Sequence, residues 1–192
     1  LLDESMGGEG VKPYQPSGMW RALMHPGSNT KNYVADKGSK LYRRSLYVYW
    51  KRTSPHPMMT LFDAPSRESA CVRRSRTNTP LQSLGLLNEP QRLETARKLA
   101  ERLVLQANNV NARLDLLFTL LASRPPNDVE RAACSKLLDV QLARYASAEA
   151  DAKALLATGD APTDQKLKPA EVAAWTQVAG MVLASDLAIL LY

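Results

Sequence analysis

The side chains with the greatest chemical potential lie in one stretch of the chain, between Tyr42 and Gln82. This stretch holds eight cations and two acids, Asp63 and Glu68, so its net charge of +6 equals the formal charge of the whole chain. Trp50 and other aromatic residues are interleaved with the cations, which is typical of a surface that binds an anionic partner. The cations are Arg43, Arg44, Lys51, Arg52, Arg67, Arg73, Arg74 and Arg76.

The two acids, Asp63 and Glu68, have three roles open to them. The favoured role is a partly buried structural network with Arg67, Arg73 and Arg74, since planar guanidinium groups suit bidentate pairing with carboxylates. In the second role, the acids lie within a surface that binds an anion or a glycan. In the third, they supply the acid and the base of a glycoside hydrolase.

Other catalytic patterns find less support. His56 is a candidate base, but no spacing in the sequence favours a nucleophile beside it. A reactive Cys71 beside Arg73 and Arg74 competes with a small buried residue at the same position. We expect Cys71 and Cys134 to be buried free thiols, with one disulfide as the alternative if the protein is exported. The candidate nucleophiles near His56 are Ser66, Ser69 and Cys71.

Metal and cofactor patterns are missing. The two His and two Cys form neither a Cys-x-x-Cys motif nor a His pair at helical spacing, so the sequence predicts no metal site. Without a Cys-x-x-Cys-His motif, we expect no haem or other cofactor in this segment. A pI near 9.4 is compatible with nucleic acid, an anionic glycan or a membrane surface. Nucleic acid is disfavoured, because the aromatic residues fit a helix stripe and no nucleic-acid module is recognised.

The elements that must position this stretch can be predicted in part. Residues 1–38 are rich in Gly and Pro, which predicts irregular structure. A helix is predicted from about Lys40 to Thr53, since apolar residues recur there at helical spacing. The alternation of residue types from Leu46 to Trp50 leaves a strand as the alternative to this helix. A separate short helix is predicted over Pro65–Val72. The apolar stripe of the first helix is Tyr42, Leu46, Tyr49 and Trp50.

From Pro80 onwards the pattern is plainly helical. Proline at several first helical turns and Gly159 as a stop signal set the boundaries. Asn127 with Glu130 predicts a capping box at one helix start. The predicted helices cover residues 80–87, 90–106, 114–123, 127–145, 148–158 and 169–192.

Two of these helices have informative faces. In the helix over 90–106, the charged face is expected to be solvated, with Glu94–Lys98 and Arg97–Glu101 as pairs four residues apart. In the helix over 127–145, the inward residues are expected to be Val129, Ala133, Leu137, Leu138, Leu142 and Tyr145.

The last predicted helix requires a test for a membrane span. Val172 to Leu191 carries one charge, Asp186, and is long enough to cross a bilayer. Polar residues such as Gln177 and Ser185 are distributed along it, and a carboxylate in mid-membrane is costly. A helix in a protein core is therefore favoured over a membrane span.

Several strings of this sequence resemble one family. They are GGEGVKPYQPSGMW, the run from Tyr42 to Gln82 with its FDAPSRE and RTNTPLQ strings, and then LLNEP, SRPP and EVAAWTQVA. The family is the planctomycete-type domain of unknown function found at the C-terminal end of large proteins from planctomycetes and related bacteria. There it commonly follows a cytochrome-c-like domain and a second domain of unknown function.

The resemblance implies that the chain is the C-terminal part of such a domain in an exported, periplasmic or cell-surface protein. Haem would then belong to a separate domain of the parent protein, and the other domains of that protein are the expected partners. The resemblance implies no catalytic residues. The C-terminal string LASDLAILLY differs from the family's usual ending, so the resemblance assigns this tail no role.

The sequence as a whole predicts a single, mainly α-helical domain of about seven helices with an irregular Arg- and Pro-rich segment. We expect residues 1–38 to be irregular, 39–82 to form the Arg/aromatic segment and 83–192 to form a helical bundle. The candidate binding surface consists of the eight cations with Trp50, Asp63 and Glu68.

The favoured function is a non-catalytic structural or binding module that contacts a neighbouring domain or an anionic polysaccharide. One alternative is a hydrolytic or redox enzyme site completed by upstream sequence, with His56 among its residues. The other is a docking module for a c-type cytochrome domain.

Overall fold

The computed structural model describes residues 1–22 and 25–189 and is mainly helical, which confirms the predicted fold class. The chain divides into two compact units, Leu1–Gly85 and Leu86–Tyr192. No strand occurs among the described residues. Their α-helices are α1 (Met19–Ala22), α2 (Pro57–Leu61), α3 (Pro80–Asn88), α4 (Pro90–Gln106), α5 (Val110–Ala122), α6 (Asp128–Ser147), α7 (Glu149–Leu156), α8 (Pro169–Leu183) and α9 (Asp186–Ile189).

The first unit is largely irregular and is held by pairing between its first residues and residues 42–49. The Asp3 amide donates to the Tyr42 carbonyl at 3.0 Å. The Val11 amide donates to the Tyr47 carbonyl and the Val11 carbonyl accepts the Tyr49 amide, both at 2.8 Å. These bonds belong to two isolated parallel bridges, and a short 3₁₀ helix precedes each bridge.

The helix predicted from Lys40 to Thr53 is wrong. Only the 3₁₀ helices Gly38–Tyr42 and Ser45–Tyr47 form there, because the backbone beyond them bonds to Val11 and cannot bond within a helix. The predicted apolar stripe is not a core face either, since Leu46 is 69% exposed. The alternation that left a strand as the alternative was the better guide to this extended backbone.

The short helix predicted over Pro65–Val72 is also wrong. Arg67, inside that range, has a left-handed backbone with φ of 62°, which a right-handed helix cannot accommodate. The α2 helix forms earlier, at Pro57–Leu61, with Pro57 in its first turn. The chain from Phe62 to Thr79 contains no helix.

Helix α8 is the centre of the second unit, since α4, α6 and α7 all pack against it. Its buried residues include Ala173, Ala174 and Ala179, whose small side chains allow neighbouring helices to approach closely. The buried Thr176 hydroxyl donates to the Val172 carbonyl at 2.7 Å, so this polar group is satisfied. The prediction of a core helix is confirmed.

Helix α8 ends at Leu183, earlier than predicted. The Ser185 hydroxyl donates to the Val182 carbonyl at 2.6 Å, a local bond that competes with continuation of the helix. Helix α9 follows, and residues 190–192 of the predicted helix lie outside the described residues. None of the described helices has the length and apolar character needed to cross a membrane.

The starts of the long helices follow their capping residues. Asn127 and Glu130 form the predicted capping box of α6. Helix α5 begins four residues earlier than predicted, because the Asn109 side chain accepts the Ala112 amide at 2.9 Å. Within α6, Val129 is 79% exposed and Ala133 is exposed too, so the predicted inward positions of both are wrong. The α6 residues that are buried are Cys134, Leu138 and Tyr145.

The charged face of α4 is buried, so the predicted solvated face is wrong. Glu94 is 0% exposed and Arg97 is 1% exposed. The predicted Arg97–Glu101 pair forms at 3.2 Å, whereas Lys98 pairs with Glu101 at 2.5 Å and not with Glu94.

The segment from Gly159 to Asp164 covers this charged face. Arg97 donates to the Ala161 carbonyl at 2.6 Å, to the Pro162 carbonyl at 3.3 Å and to the Thr163 hydroxyl at 3.2 Å. The Ala161 amide in turn donates to the Glu94 carboxylate. This connecting segment is polar, and its sequence pattern is typical of a loop in solvent. In the structure it instead covers the buried charged side chains of α4.

Gly159 gives a direct test of this arrangement. Its φ is +91°, and a Cβ added there would lie 2.4 Å from Glu94 Cδ. We expect Gly159→Ala to lower the free energy of unfolding by about 2–4 kcal/mol, through backbone strain and displacement of the buried carboxylate. Urea unfolding followed by far-UV circular dichroism measures this change.

Gly180 in the same unit provides the matched control. A Cβ there would meet only Ala96 Cβ at 3.9 Å, an ordinary contact inside α8. Gly180→Ala should leave stability unchanged or raise it by up to about 1 kcal/mol, since Ala favours a helix over Gly. Equal effects of the two substitutions would contradict the proposed packing of Gly159 on Glu94.

Candidate functional site

An exposed loop rich in arginine is the main candidate site of the first unit. It comprises residues 64–76, which include four arginines and one glutamate and thus have a formal charge of +3. Every residue from 65 to 76 is exposed, including the apolar Val72. We call this segment the arginine loop.

Gln82 ties the two ends of the arginine loop together. Gln82 is 1% exposed, and its Nε2 donates to the Leu61 carbonyl at 2.9 Å and to the Thr77 hydroxyl at 3.1 Å. Its Oε1 accepts the Thr79 amide at 3.1 Å. Because Leu61 precedes the loop and Thr77 follows it, one buried amide group holds both ends.

This role of Gln82 was missed from the sequence, although a signal was present. Thr79 and Gln82 have the Ser/Thr-x-x-Glu/Gln spacing of a capping box at the start of α3. That spacing predicts the bond in which the Gln82 side chain accepts the Thr79 amide, and this bond is present. The bonds to Leu61 and Thr77 depend on a fold that spacing does not reveal.

Asp63 supports the same junction. Its carboxylate accepts the Thr77 hydroxyl at 2.7 Å and the Thr77 amide at 2.8 Å, and these hydrogen bonds lower the pKa of Asp63. Arg74 Nε donates to the Asp63 carbonyl at 2.9 Å, and its guanidinium also bonds the Phe62 carbonyl. Asp63 itself has a left-handed backbone with φ of 55°, a conformation that Asp adopts more readily than most residues.

Arg43 and Arg44 are engaged within the first unit. The Arg43 guanidinium lies 3.9 Å from the centre of the Tyr47 ring and donates to the Ser5 carbonyl at 3.0 Å and the Gly7 carbonyl at 2.6 Å. Arg44 lies 5.8 Å from the same ring. Both cations therefore brace the first residues of the chain against residues 43–47.

Lys51 is also engaged. It is buried, its Nζ donates to the Thr30 carbonyl at 2.6 Å, and this ammonium lies 4.0 Å from the centre of the Trp20 ring. Burial lowers the pKa of Lys51. A buried ammonium between a carbonyl and an indole ring stabilises the fold through a hydrogen bond and a cation–π contact.

Two contacts hold the arginine loop to residues 50–52. Arg67 lies 4.7 Å from the centre of the Trp50 ring. Glu68 pairs with Arg52 at 2.7 Å, in an exposed position where the pair contributes little to stability. The predicted carboxylate pairing of Asp63 and Glu68 with Arg67, Arg73 and Arg74 is therefore wrong for the described residues. The Asp63 carboxylate bonds to Thr77 and Glu68 pairs with Arg52.

Arg73 and Arg76 remain available at the surface. Within residues 1–22 and 25–189, neither side chain has a hydrogen-bond, ion-pair or ring partner, and both are exposed. The site therefore contains two uncompensated guanidinium groups on a loop whose ends are fixed. Guanidinium groups bind carboxylate, sulfate and phosphate through paired hydrogen bonds.

The candidate catalytic side chains of His56, Asp63 and Glu68 make no contact with one another among the described residues. His56 is buried and its Nε2 donates to the Tyr14 carbonyl at 2.7 Å, while Asp63 bonds to Thr77 and Glu68 to Arg52. In the part of the chain that the structure describes, no cluster of three or more His, Cys, Asp or Glu residues could hold a metal ion.

The two cysteines are free, but their environments differ. Cys71 is exposed in the arginine loop, so its predicted burial is wrong. Cys134 is buried in α6 as predicted, and burial raises the pKa of its thiol. The raised pKa makes Cys134 a poor nucleophile.

The fold and site together define a mainly helical chain that carries a tethered, exposed arginine loop. The chain belongs to the family described as PSD1, protein of unknown function (DUF1553), whose model matches residues 1–138. This match confirms the family resemblance found in the sequence. No curated protein and no solved structure matches the chain.

His56 makes the stability of the first unit depend on pH. Burial lowers the pKa of His56 from its ordinary value of 6.5. As the pH falls below 6.5, the unfolded chain binds a proton before the folded chain does, so the free energy of unfolding decreases. We expect His56→Gln, which retains a donor for the Tyr14 carbonyl, to reduce this slope by up to about 1.4 kcal/mol per pH unit.

Urea unfolding between about pH 5 and about pH 7.5 tests this dependence. The control is Ser54→Ala, since the buried Ser54 hydroxyl has no hydrogen-bond partner in the described part of the chain and does not titrate in this range. Ser54→Ala should shift stability by a similar amount at every pH. If His56→Gln keeps the wild-type slope, buried His56 does not cause the acid sensitivity.

Proposed function

We propose that this chain is a non-catalytic binding module whose arginine loop binds an anionic polysaccharide. The observation that supports the proposal most strongly is the exposure of Arg73 and Arg76, which have no partner among the described residues, on a loop tied at both ends by Gln82. A tied loop loses less conformational entropy on binding than a free segment. The positive charge of the tied loop therefore contributes more to affinity than the same charge on a free segment would.

The polymeric nature of the ligand follows from the character of the loop. A shallow, exposed pair of cations gives little affinity for a single anion in salt solution, because solvent and counterions screen it. A polymer with many carboxylates or sulfates engages several cations of the loop at once, which raises its apparent affinity. We infer from the family resemblance that the parent protein is exported or lies at the cell surface, where such polymers occur.

Two other functions compete with this proposal. A neighbouring domain of the parent protein, including a c-type cytochrome domain, could carry the acidic surface that meets the loop. An enzyme site would need His56, Asp63 and Glu68 in one cleft, but these side chains bond to three different partners. The binding role is therefore the better supported proposal.

Substitution of the two available arginines tests the proposal. We expect Arg73→Ala with Arg76→Ala to weaken binding of polygalacturonate or dextran sulfate at least about ten-fold, or about 1.4 kcal/mol. We also expect wild-type binding to fall steeply between about 50 mM and about 500 mM salt, because exposed charges are screened. Biolayer interferometry on immobilised polysaccharide measures both effects.

The matched control removes two exposed cations from the second unit. Arg102 and Lys136 are exposed on α4 and α6, so Arg102→Ala with Lys136→Ala changes the net charge equally. This control should retain most of the wild-type affinity. The proposal fails if the two double variants bind equally, or if wild-type binding is insensitive to salt.

A further inference from the structure

The first unit contains a second, concave feature, whose lining residues do not belong to the arginine loop. It is a cleft of about 310 Å³ whose lining includes Ser17, Trp20, Arg21, Lys31, Asn32 and Tyr33. Pockets for small molecules occupy about 300–1,000 Å³, so this volume suits a ligand the size of one sugar ring. The lining combines two aromatic rings, two cations, an amide and a hydroxyl.

The aromatic part of the cleft is rigid. Trp20 is buried, and its ring packs against Tyr33 in a T-shaped arrangement with centroids 4.8 Å apart. The Tyr33 hydroxyl donates to the Pro13 carbonyl, and burial raises the pKa of Tyr33. Lys51 supports the indole from 4.0 Å away. Both rings of the cleft are therefore held by contacts within the first unit.

The cations of the cleft have no acidic partner. Arg21 donates one long hydrogen bond, at 3.4 Å, to the side-chain Oδ1 of Asn32, and the Lys31 ammonium donates to the Pro26 backbone carbonyl at 2.7 Å. Neither side chain forms an ion pair within the residues that the structure describes. The lining therefore includes two cations and no carboxylate. Outside the lining, Lys51 lies 4.0 Å from the centre of the Trp20 ring and Asp36 lies near Tyr33.

We infer that this cleft binds one acidic sugar unit, a pyranose ring bearing a single carboxylate. The carboxylate would lie between Arg21 and Lys31 and accept charge-assisted hydrogen bonds from both side chains. Asn32 and Ser17 supply donors and acceptors of the kind that sugar hydroxyls require. The inference deepens the proposed function and rests on it, since it names the repeating unit of the polysaccharide.

The cleft and the arginine loop are linked through consecutive residues. Trp50 contacts Arg67 of the loop, and Lys51 contacts Trp20 in the cleft. The Cα atoms of neighbouring residues are about 3.8 Å apart. A single polyuronate chain could therefore contact both features, with one unit in the cleft and further carboxylates on Arg73 and Arg76.

Titration of the full chain with D-galacturonate tests the cleft, using ¹H–¹⁵N NMR shifts of the first unit. Galactose serves as the neutral ring and acetate as the free anion. We expect saturable binding of galacturonate, and at least ten-fold weaker binding of galactose and of acetate. Arg21→Ala with Lys31→Ala should weaken galacturonate binding at least ten-fold. Both side chains are exposed, so the variant should fold, and far-UV circular dichroism checks this.

The Arg73→Ala, Arg76→Ala variant separates the cleft from the loop. It should lose affinity for the polymer but bind galacturonate as the wild type does. If the Arg21→Ala, Lys31→Ala variant binds galacturonate normally, or if galactose binds equally well, the cleft inference is overturned while the loop proposal stands. If the Arg73→Ala, Arg76→Ala variant binds the polymer as the wild type does, the proposed function itself fails.

Discussion

The second unit depends on how one buried guanidinium group is satisfied. Arg97 lies at 1% exposure among the carboxylates of α4, and an unpaired charge there would be strongly destabilising. Glu101 and the carbonyls of residues 161 and 162 bond its two terminal nitrogens, and Glu94 accepts the Ala161 amide. These bonds hold the segment between α7 and α8 against α4, and Gly159 is the residue that lets it approach Glu94.

Cations also organise the first unit, but there they lie on aromatic rings. Arg43 lies on Tyr47, Lys51 on Trp20 and Arg67 on Trp50. A unit with few buried apolar residues gains stability from such contacts, each contributing about 0.5–2 kcal/mol. Most of the positive charge that makes this stretch conspicuous is thus used within the fold. The cations left for a ligand are a small part of the original set.

What the sequence predicted well were the elements determined by local interactions. Helices α4 and α6 begin at their proline or capping box, because caps act within a few residues. The sequence did not distinguish the exposed Arg73 and Arg76 from the other six cations of the stretch, since it favoured a partly buried network for Arg73. The resemblance to the family was also carried by short strings of residues.

What the sequence could not show depends on contacts between distant residues. The helix predicted from Lys40 was wrong because Val11 bonds to the backbone of Tyr47 and Tyr49. The charged face of α4 follows the usual pattern of a solvated surface, and only the segment covering it, more than sixty residues later, makes it buried. The cleft was missed for the same reason, since Trp20 and Tyr33 have no periodic relation that would place them side by side.

The family match includes the arginine loop but not the helix at the centre of the second unit. The match ends at residue 138, inside α6, and so includes the whole arginine loop and its junction at Gln82. It leaves out α8, against which α4 and α6 pack. The matched residues alone would therefore expose the apolar faces of α4 and α6. The features that carry the proposed function lie within the matched residues, whereas the helix at the centre of the second unit lies outside them.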